Sequence, residues 1–328
     1  MENFRFIEFQ HARDFSMKMN ATFEFIRQNF KSLGRCILYI AGPPALIGGM
    51  IMANFMGDYM KMVMGSVGGN PDIFMNYLSS GSFWLQVSMG LLFGLLSFVS
   101  TIATIYNYLI LYEQKRSNQI EVSEVWTRVR DTFWMYFGTA IFYGILFLFV
   151  YVILLIPMVI LSAISPFLIF FGVLGVIIGL LYLLFGSSLV FMIRAYEKKG
   201  FFESIMRSFY LVRGKWWSTF GLVLLLILIV TAVSYAFMIP YYMVTLTSAL
   251  HKVSPDSFSE PSSGSVIIST SFFALYYLGQ VFLYALPNVG IAFQYFNLVE
   301  LKEAKGLMNE IETLGQSPSD THRPEEHF

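Results

Sequence analysis

The sequence predicts an all-α polytopic membrane helix bundle: six transmembrane helices arranged as three hairpin repeats, with amphipathic interfacial helices between them. Three observations carry that prediction. The first is composition: of 328 residues 56% are hydrophobic, 18% aromatic and only 13% charged, with a mean hydropathy of +0.62. An ordinary soluble domain carries about 25% charged residues. A soluble globular domain and a disordered chain are therefore both excluded. The second is the set of long runs without Asp, Glu, Lys or Arg, at 36–57, 73–112, 132–193, 216–251 and 261–299. The third is the placement of the basic residues between those runs.

A helix needs about 20 apolar residues to cross a hydrocarbon core of about 30 Å. The run 132–193 is long enough for two crossings and a turn, and Ser162, Ser165 and Pro166 mark its break. Proline suits the first turn of a new helix. Six spans follow, near 36–56, 83–112, 134–161, 166–193, 218–243 and 266–299. Membrane β-strands would be about 10 residues long and alternate in polarity, which these runs do not. Helices remain, because lipid offers the backbone no hydrogen-bond partners.

Orientation comes from the cations. All but two of the 21 lysines and arginines fall before span one, between spans two and three, between spans four and five, or after span six. The exceptions are Lys61 and Lys252. This positive-inside pattern predicts a multi-pass protein of the bacterial cytoplasmic (inner) membrane with both termini cytoplasmic. No cleavable signal peptide is expected, because 35 charged and aromatic residues precede the first apolar run. The expected organisation is a cytoplasmic segment with an amphipathic helix over 1–35 and a six-helix membrane domain over 36–300. An amphipathic cytoplasmic helix over 301–314 and a disordered tail over 315–328 complete it. The loop 251–265 reads as a flexible external connector.

Shifting the sequence by 83 residues superposes Trp134 on Trp217, Phe137-Gly138 on Phe220-Gly221, and Ile156-Pro157 on Ile239-Pro240. Spans three and five thus read as copies of one element, with their prolines expected at equal depth. The even spans end alike, in Glu113-Gln-Lys115, Glu197-Lys-Lys199 and Glu300-Leu-Lys302, which predicts parallel hairpins. Amphipathic patterns flank the spans: Phe15, Met19, Phe23, Ile26, Phe30 and Leu33 recur at helical spacing opposite Lys18, Arg27 and Lys31. The same holds around 121–131 and 201–209. Such helices are expected to lie among lipid headgroups with the aromatics down.

Catalytic and metal motifs are missing from the sequence. It has no Walker loop, dinucleotide fingerprint, HExxH or EF-hand loop. Its four histidines sit in terminal or loop segments, and Cys36 is the sole cysteine. No catalytic residue, metal site or cofactor is expected. The polar residues that remain are candidates for a cytoplasmic polar ring or cavity: Glu113, Glu197, Glu300, Asn107 and Gln294, with Gln280, Asn288 and Asn297 as further amides in the spans. A simpler alternative is that each glutamate pairs with the lysine two positions on, or with a neighbouring arginine, and that the amides serve helix–helix hydrogen bonds.

The stretch Glu197-Lys-Lys-Gly200-Phe-Phe-Glu-Ser-Ile-Met-Arg-Ser208-Phe-Tyr-Leu-Val-Arg-Gly214-Lys-Trp216 resembles the glycerophosphoryl diester phosphodiesterase membrane-domain family and related bacterial six-span proteins. In that family a glutamate ends one helix, an amphipathic segment with a serine follows, and a glycine and an aromatic precede the next span. The resemblance covers spans two to six. It implies a membrane module that works with a partner. The phosphodiesterase domain fused to some members has no counterpart here, so that activity is not expected.

The function expected is therefore non-catalytic: an integral membrane scaffold, regulatory or accessory subunit of a membrane complex. The alternative is a transporter or permease subunit for a lipid-like or hydrophobic solute, favoured if the bundle holds a laterally open, lipid-sized space. Expected partners are membrane lipids and a protein in the membrane or cytoplasm, and not nucleic acid.

Overall fold

A computed structural model describes residues 5–67, 72–253, 263–304 and 308. An irregular segment over 5–14 leads into α1 (Phe15–Ile40), which is followed by α2 (Gly42–Val67), α3 (Asp72–Ser79) and α4 (Gly81–Lys115). Next come α5 (Val122–Ile164), a short 3-10 turn (Pro166–Leu168), α6 (Ile169–Gly186), α7 (Val190–Tyr196) and α8 (Phe201–Val212). The chain closes with α9 (Trp216–Val253), α10 (Ser263–Leu283) and α11 (Ala285–Glu303). Among the described residues there is no strand.

Five helical stretches are long and apolar enough to cross a membrane: Gly81–Lys115, Val122–Ile164, Pro166–Tyr196, Trp216–Thr247 and Val266–Glu303. The chain is thus a multi-pass, membrane-embedded helical protein. The first expected span differs from its prediction. Helix α1 runs on to Ile40, and the chain then bends by 61° into α2, inside the stretch read as one helix over 36–56. Pro43 and Pro44 explain the break: they lack N–H donors and are tolerated only in a helix's first turn, so α2 must start at Gly42. Taken as one span, the bent pair raises the count to six.

A second difference concerns α1. Phe15, Phe23 and Phe30 are exposed as expected, and so are Arg27 and Lys31, but Lys18 and Leu33 turn into the bundle along a third face. Lys18, Thr22, Phe25, Asn29, Leu33 and Cys36 are buried in the bundle. Their polar groups find partners there: the Tyr108 hydroxyl donates to Asn29 Oδ1 (2.8 Å), and Lys18 Nζ donates to Gln294 Oε1 (2.7 Å) and Ser218 Oγ (2.9 Å). Pairing of this kind makes burial of a polar face tolerable.

Helices α2 and α10 pack most intimately. A Cβ at Gly49 would come within 2.9 Å of Tyr277 Cβ and 3.0 Å of Ala274 Cα, so the two backbones approach only because this residue is glycine. Helices α5 and α6 form a hairpin that leans on α4 on one side and α9 on the other. None of the most apolar stretch of α5 is buried inside the protein. Both α5 and α9 continue as helix beyond Pro157 and Pro240.

The starts of α1, α5 and α9 meet the ends of α4, α7 and α11 at one end of the bundle, called here the basic end. Most of the expected helix over 301–314, the tail over 315–328 and most of the connector over 251–265 lie outside the described residues; residues 301–303 form the end of α11.

Candidate functional site

Two sites stand out, and the sequence pointed at parts of each. The larger is a cavity of about 670 Å³ walled by α4, α9, α10 and the start of α11, with Met52 of α2 at its edge. Each wall is one helical stripe. Gly94, Ser97, Phe98 and Thr101 lie at i, i+3, i+4 and i+7 on α4, and Ile227, Val230, Thr231 and Ser234 repeat that spacing on α9. Tyr277, Gln280, Tyr284 and Asn288 continue it across the α10–α11 junction. Helices α4 and α9 are not closely packed on each other. Along that side Phe98, Ile227 and Tyr235 are exposed. The cavity therefore has a lateral mouth at the level of the apolar helices.

Among the described residues, none that lines it is Asp, Glu, Lys, Arg or His. The hydroxyls of Thr101 and Ser234 are spent on their own helices, donating to Ser97 O (2.6 Å) and Val230 O (2.6 Å). Asn288 is held from both ends: Nδ2 donates to Tyr284 O (2.8 Å), and Oδ1 accepts from the Tyr106 hydroxyl (3.2 Å). What the walls still offer is a group of tyrosine hydroxyls over an apolar surface.

The second site lies at the basic end, a recess of about 490 Å³ lined by Gln10, Tyr196, Glu197, Lys199, Arg207, Tyr295 and Glu303 among others. Glu197, just past α7, pairs with Lys199 (2.8 Å) and Arg207 (3.1 Å) and accepts from the Tyr295 hydroxyl (2.8 Å). Arg207 also pairs with Glu303. Burial pushes the Glu197 carboxyl up, but hydrogen bonds from Lys199, Tyr295 and Arg207 outweigh it and hold the group below its ordinary range. Hydrogen bonding to Glu303, more than the opposing desolvation, keeps the Arg207 guanidinium firmly protonated. Positive and negative groups balance here, which describes a structural clasp between α7, α8 and α11.

The five residues singled out from the sequence are therefore divided. Glu197 lines the recess and pairs with the lysine two positions on, as the simpler alternative had it. Glu113 accepts instead from the Tyr196 hydroxyl (3.1 Å), while Lys115 pairs with Glu124. Glu300 stands half-buried near the end of α11, and its side chain lines neither site. Asn107 is buried and bridges Ala103 O (2.9 Å) and Thr132 Oγ1 (2.9 Å), fastening α4 to α5. Gln294 is fully buried between Lys18 and Thr219. None of the five lines the larger cavity, whereas two of the further amides, Gln280 and Asn288, do. Sequence reading missed the tyrosines beside them and the polar stripes on α4 and α9. The signal was present, since Ser97 and Thr101, Thr231 and Ser234, and Tyr277, Gln280, Tyr284 and Asn288 each recur at helical spacing. Among the described residues no group of three or more His, Cys, Asp or Glu could hold a metal ion.

Comparison with known protein families, with curated proteins and with solved structures finds no match for this chain.

Proposed function

We propose that this protein is a non-catalytic membrane carrier or permease module that binds a lipid-like or hydrophobic solute in the cavity between α4, α9 and α10. The single observation behind the reading is that cavity: about 670 Å³, uncharged, and open sideways between two apolar helices. Ligand sites typically run to 300–1,000 Å³ and pair mostly apolar walls with a few polar groups. Among the described residues its walls carry no Asp, Glu, Lys, Arg or His, which leaves no carboxylate–histidine or lysine pair for acid–base catalysis there. On this reading the basic end faces the cytoplasm of a bacterial cell, both termini with it, and the bundle is built from three parallel hairpins. The likeness of 197–216 to the phosphodiesterase-associated membrane domains is kept as the proposed kinship.

Mass spectrometry of lipids retained through mild-detergent purification tests the proposal. A small apolar molecule or lipid retained by the native protein and lost on Gly94→Leu is the expected result. Equal retention by both would place any bound lipid outside the cavity and end the reading. Introduced cysteines test the orientation, since an impermeant reagent added outside the cell should not reach position 205.

The second reading, an accessory subunit of a membrane complex, is favoured by the α5–α6 hairpin. Although the hairpin leans on α4 and α9, none of the most apolar stretch of α5 and only 11% of that within Pro166–Tyr196 is buried, which offers a face to a partner helix. Co-purification of a membrane protein that is lost on changes to this hairpin, but not on Gly94→Leu, would favour it.

A further inference from the structure

We infer that the occupant of the cavity is an uncharged amphiphile whose oxygen-bearing head accepts hydrogen bonds from Tyr277 and Tyr284, and not an anionic lipid. The inference rests on the proposed reading of the cavity as a binding site and names the class of molecule it takes. Two observations carry it.

The first is charge. Among the described residues no cation lines the cavity; of the buried or half-buried ones, Lys18 is held by Gln294 and Ser218, Arg207 by Glu197 and Glu303, Arg13 by Phe9 O, and Arg194 donates to Thr139 Oγ1. A phosphate or carboxylate drawn between α4 and α9 would lose its hydration and gain no counter-charge. That cost is large for any ion taken into an apolar surrounding. A neutral head escapes it.

The second is the direction of the unspent hydrogen bonds. Thr101 and Ser234 already serve their own backbones, and Asn288 its own backbone and Tyr106; Ser97, Thr231 and Tyr235 add further hydroxyls around the same space. Tyr276 is engaged with Gln280. The hydroxyls of Tyr277 and Tyr284 make no hydrogen bond to another described residue, and both face the cavity. Tyr277 is half-buried and Tyr284 50% exposed; a ligand that covered either phenol without accepting from it would strand a donor, so these two groups select a molecule with an acceptor oxygen. They lie about two helical turns apart on one stripe. A single hydroxyl- or carbonyl-bearing head fits between them, while Phe98, Ile227 and Phe273 offer the apolar body its contact.

The test uses the full chain in mild detergent and two lipids with the same acyl chain: monooleoylglycerol, which is neutral, and oleoyl-lysophosphatidylglycerol, which carries a phosphate. Binding is followed by native mass spectrometry. Monooleoylglycerol is expected to bind at least about tenfold more tightly. Tyr277→Phe and Tyr284→Phe should each weaken it by about fivefold, the worth of about one neutral hydrogen bond. Binding of the anionic lipid should not change, because the rings and the fold are kept. Equal or tighter binding of the phosphate lipid, or indifference of monooleoylglycerol to both phenylalanine changes, overturns the inference while the cavity stands as a site. Gly94→Leu and Thr231→Trp settle the other question. Gly94 has room, since a Cβ there would meet only the Tyr277 hydroxyl at 3.8 Å, and Thr231 is exposed at the mouth. If both filled variants, shown to be folded by their thermal transitions, bind monooleoylglycerol as the native protein does, the site reading itself falls.

Discussion

Along α4, Tyr106, Tyr108 and Tyr112 near the basic end are all but fully buried, whereas Phe98, two to four turns earlier on the same helix, is 47% exposed at the cavity mouth. The two halves of the bundle are built differently. At the basic end, Phe9 from the irregular N-terminal segment inserts among Phe25, Tyr112, Phe293 and Phe296, with ring centroids 5.0–6.1 Å apart. Its backbone neighbours are tied in as well: the Ile7 amide donates to the Tyr112 hydroxyl (3.0 Å) and the Arg13 amide to Asn297 Oδ1 (2.6 Å). Aromatic rings and paired charges lock this end. In the other half the helices meet through small residues such as Gly49, and separate enough to leave the cavity. The difference teaches where rigidity and accommodation reside: the charged end fixes the relative positions of the helices, and the uncharged half is free to hold something else.

The largest effect should come from pulling the aromatic plug. Phe9 is only 3% exposed, and Phe9→Ala should lower stability by about 3–5 kcal/mol, read as a fall in the detergent-solubilised melting temperature. A loss below about 1 kcal/mol would show the N-terminal segment to be an ornament and would erase the contrast. Next is the clasp. Arg207→Met leaves Glu197 and Glu303 without their shared cation and should cost about 2 kcal/mol, less than a fully dry pair because all three side chains keep some water. Adding Glu303→Gln to that variant should cost less than Glu303→Gln does alone. Strict additivity would deny the coupling.

Acid should loosen the basic end first. Because Glu197 is held below its ordinary range in the folded protein, its stabilisation is complete above the unfolded value of about 4.3. It is lost as pH falls through the lower folded value. Hydrogen exchange at α7, α8 and the end of α11 should therefore rise at acid pH before exchange around the cavity does, and Glu197→Gln should blunt that order. Simultaneous loosening of both halves would mean that the clasp is not what couples the fold to acid. The smallest effect belongs to the cavity: Gly94→Leu should move stability by less than about 1 kcal/mol, since the added side chain enters free space. A large loss would mean that α4 and α10 are packed there as tightly as at the basic end.

Much of the framework was legible in the sequence. The charge-free runs located the long apolar helices from α4 onward, because lipid forbids charge far more strictly than water forbids apolar groups. They missed that α5 starts at Val122 and not near 134, that α9 runs on to Val253, and that the last span is broken into α10 and α11. Glu197 and its lysine partner were legible too, since a charge at a helix end has few places to go. Asn107 and Gln294 were read as amides that fasten helices or line a cavity, but their partners Thr132, Lys18 and Thr219 were not legible, because only the packing of other helices brings them near. The cavity lining was missed because serine, threonine and tyrosine are unremarkable one at a time in a membrane helix.

The sequence alone determined the solvent: the charge deficit, the apolar lengths and the one-sided cations define a multi-pass helical chain whose charged residues gather at one end. It could not determine which side of each helix turns inward. In water the apolar face must be the buried one, but lipid tails are as apolar as a protein core, so periodicity loses its meaning as a guide to burial. Only the tertiary structure decided that α1 buries Lys18, Thr22 and Asn29 while Phe15, Phe23 and Phe30 face out. Only packing decided, too, that α4 and α9 stand apart and leave space between them. That separation is a property of no single segment. Gly49 brings α2 close to α10, whereas α4 and α9 have no such close contact between them.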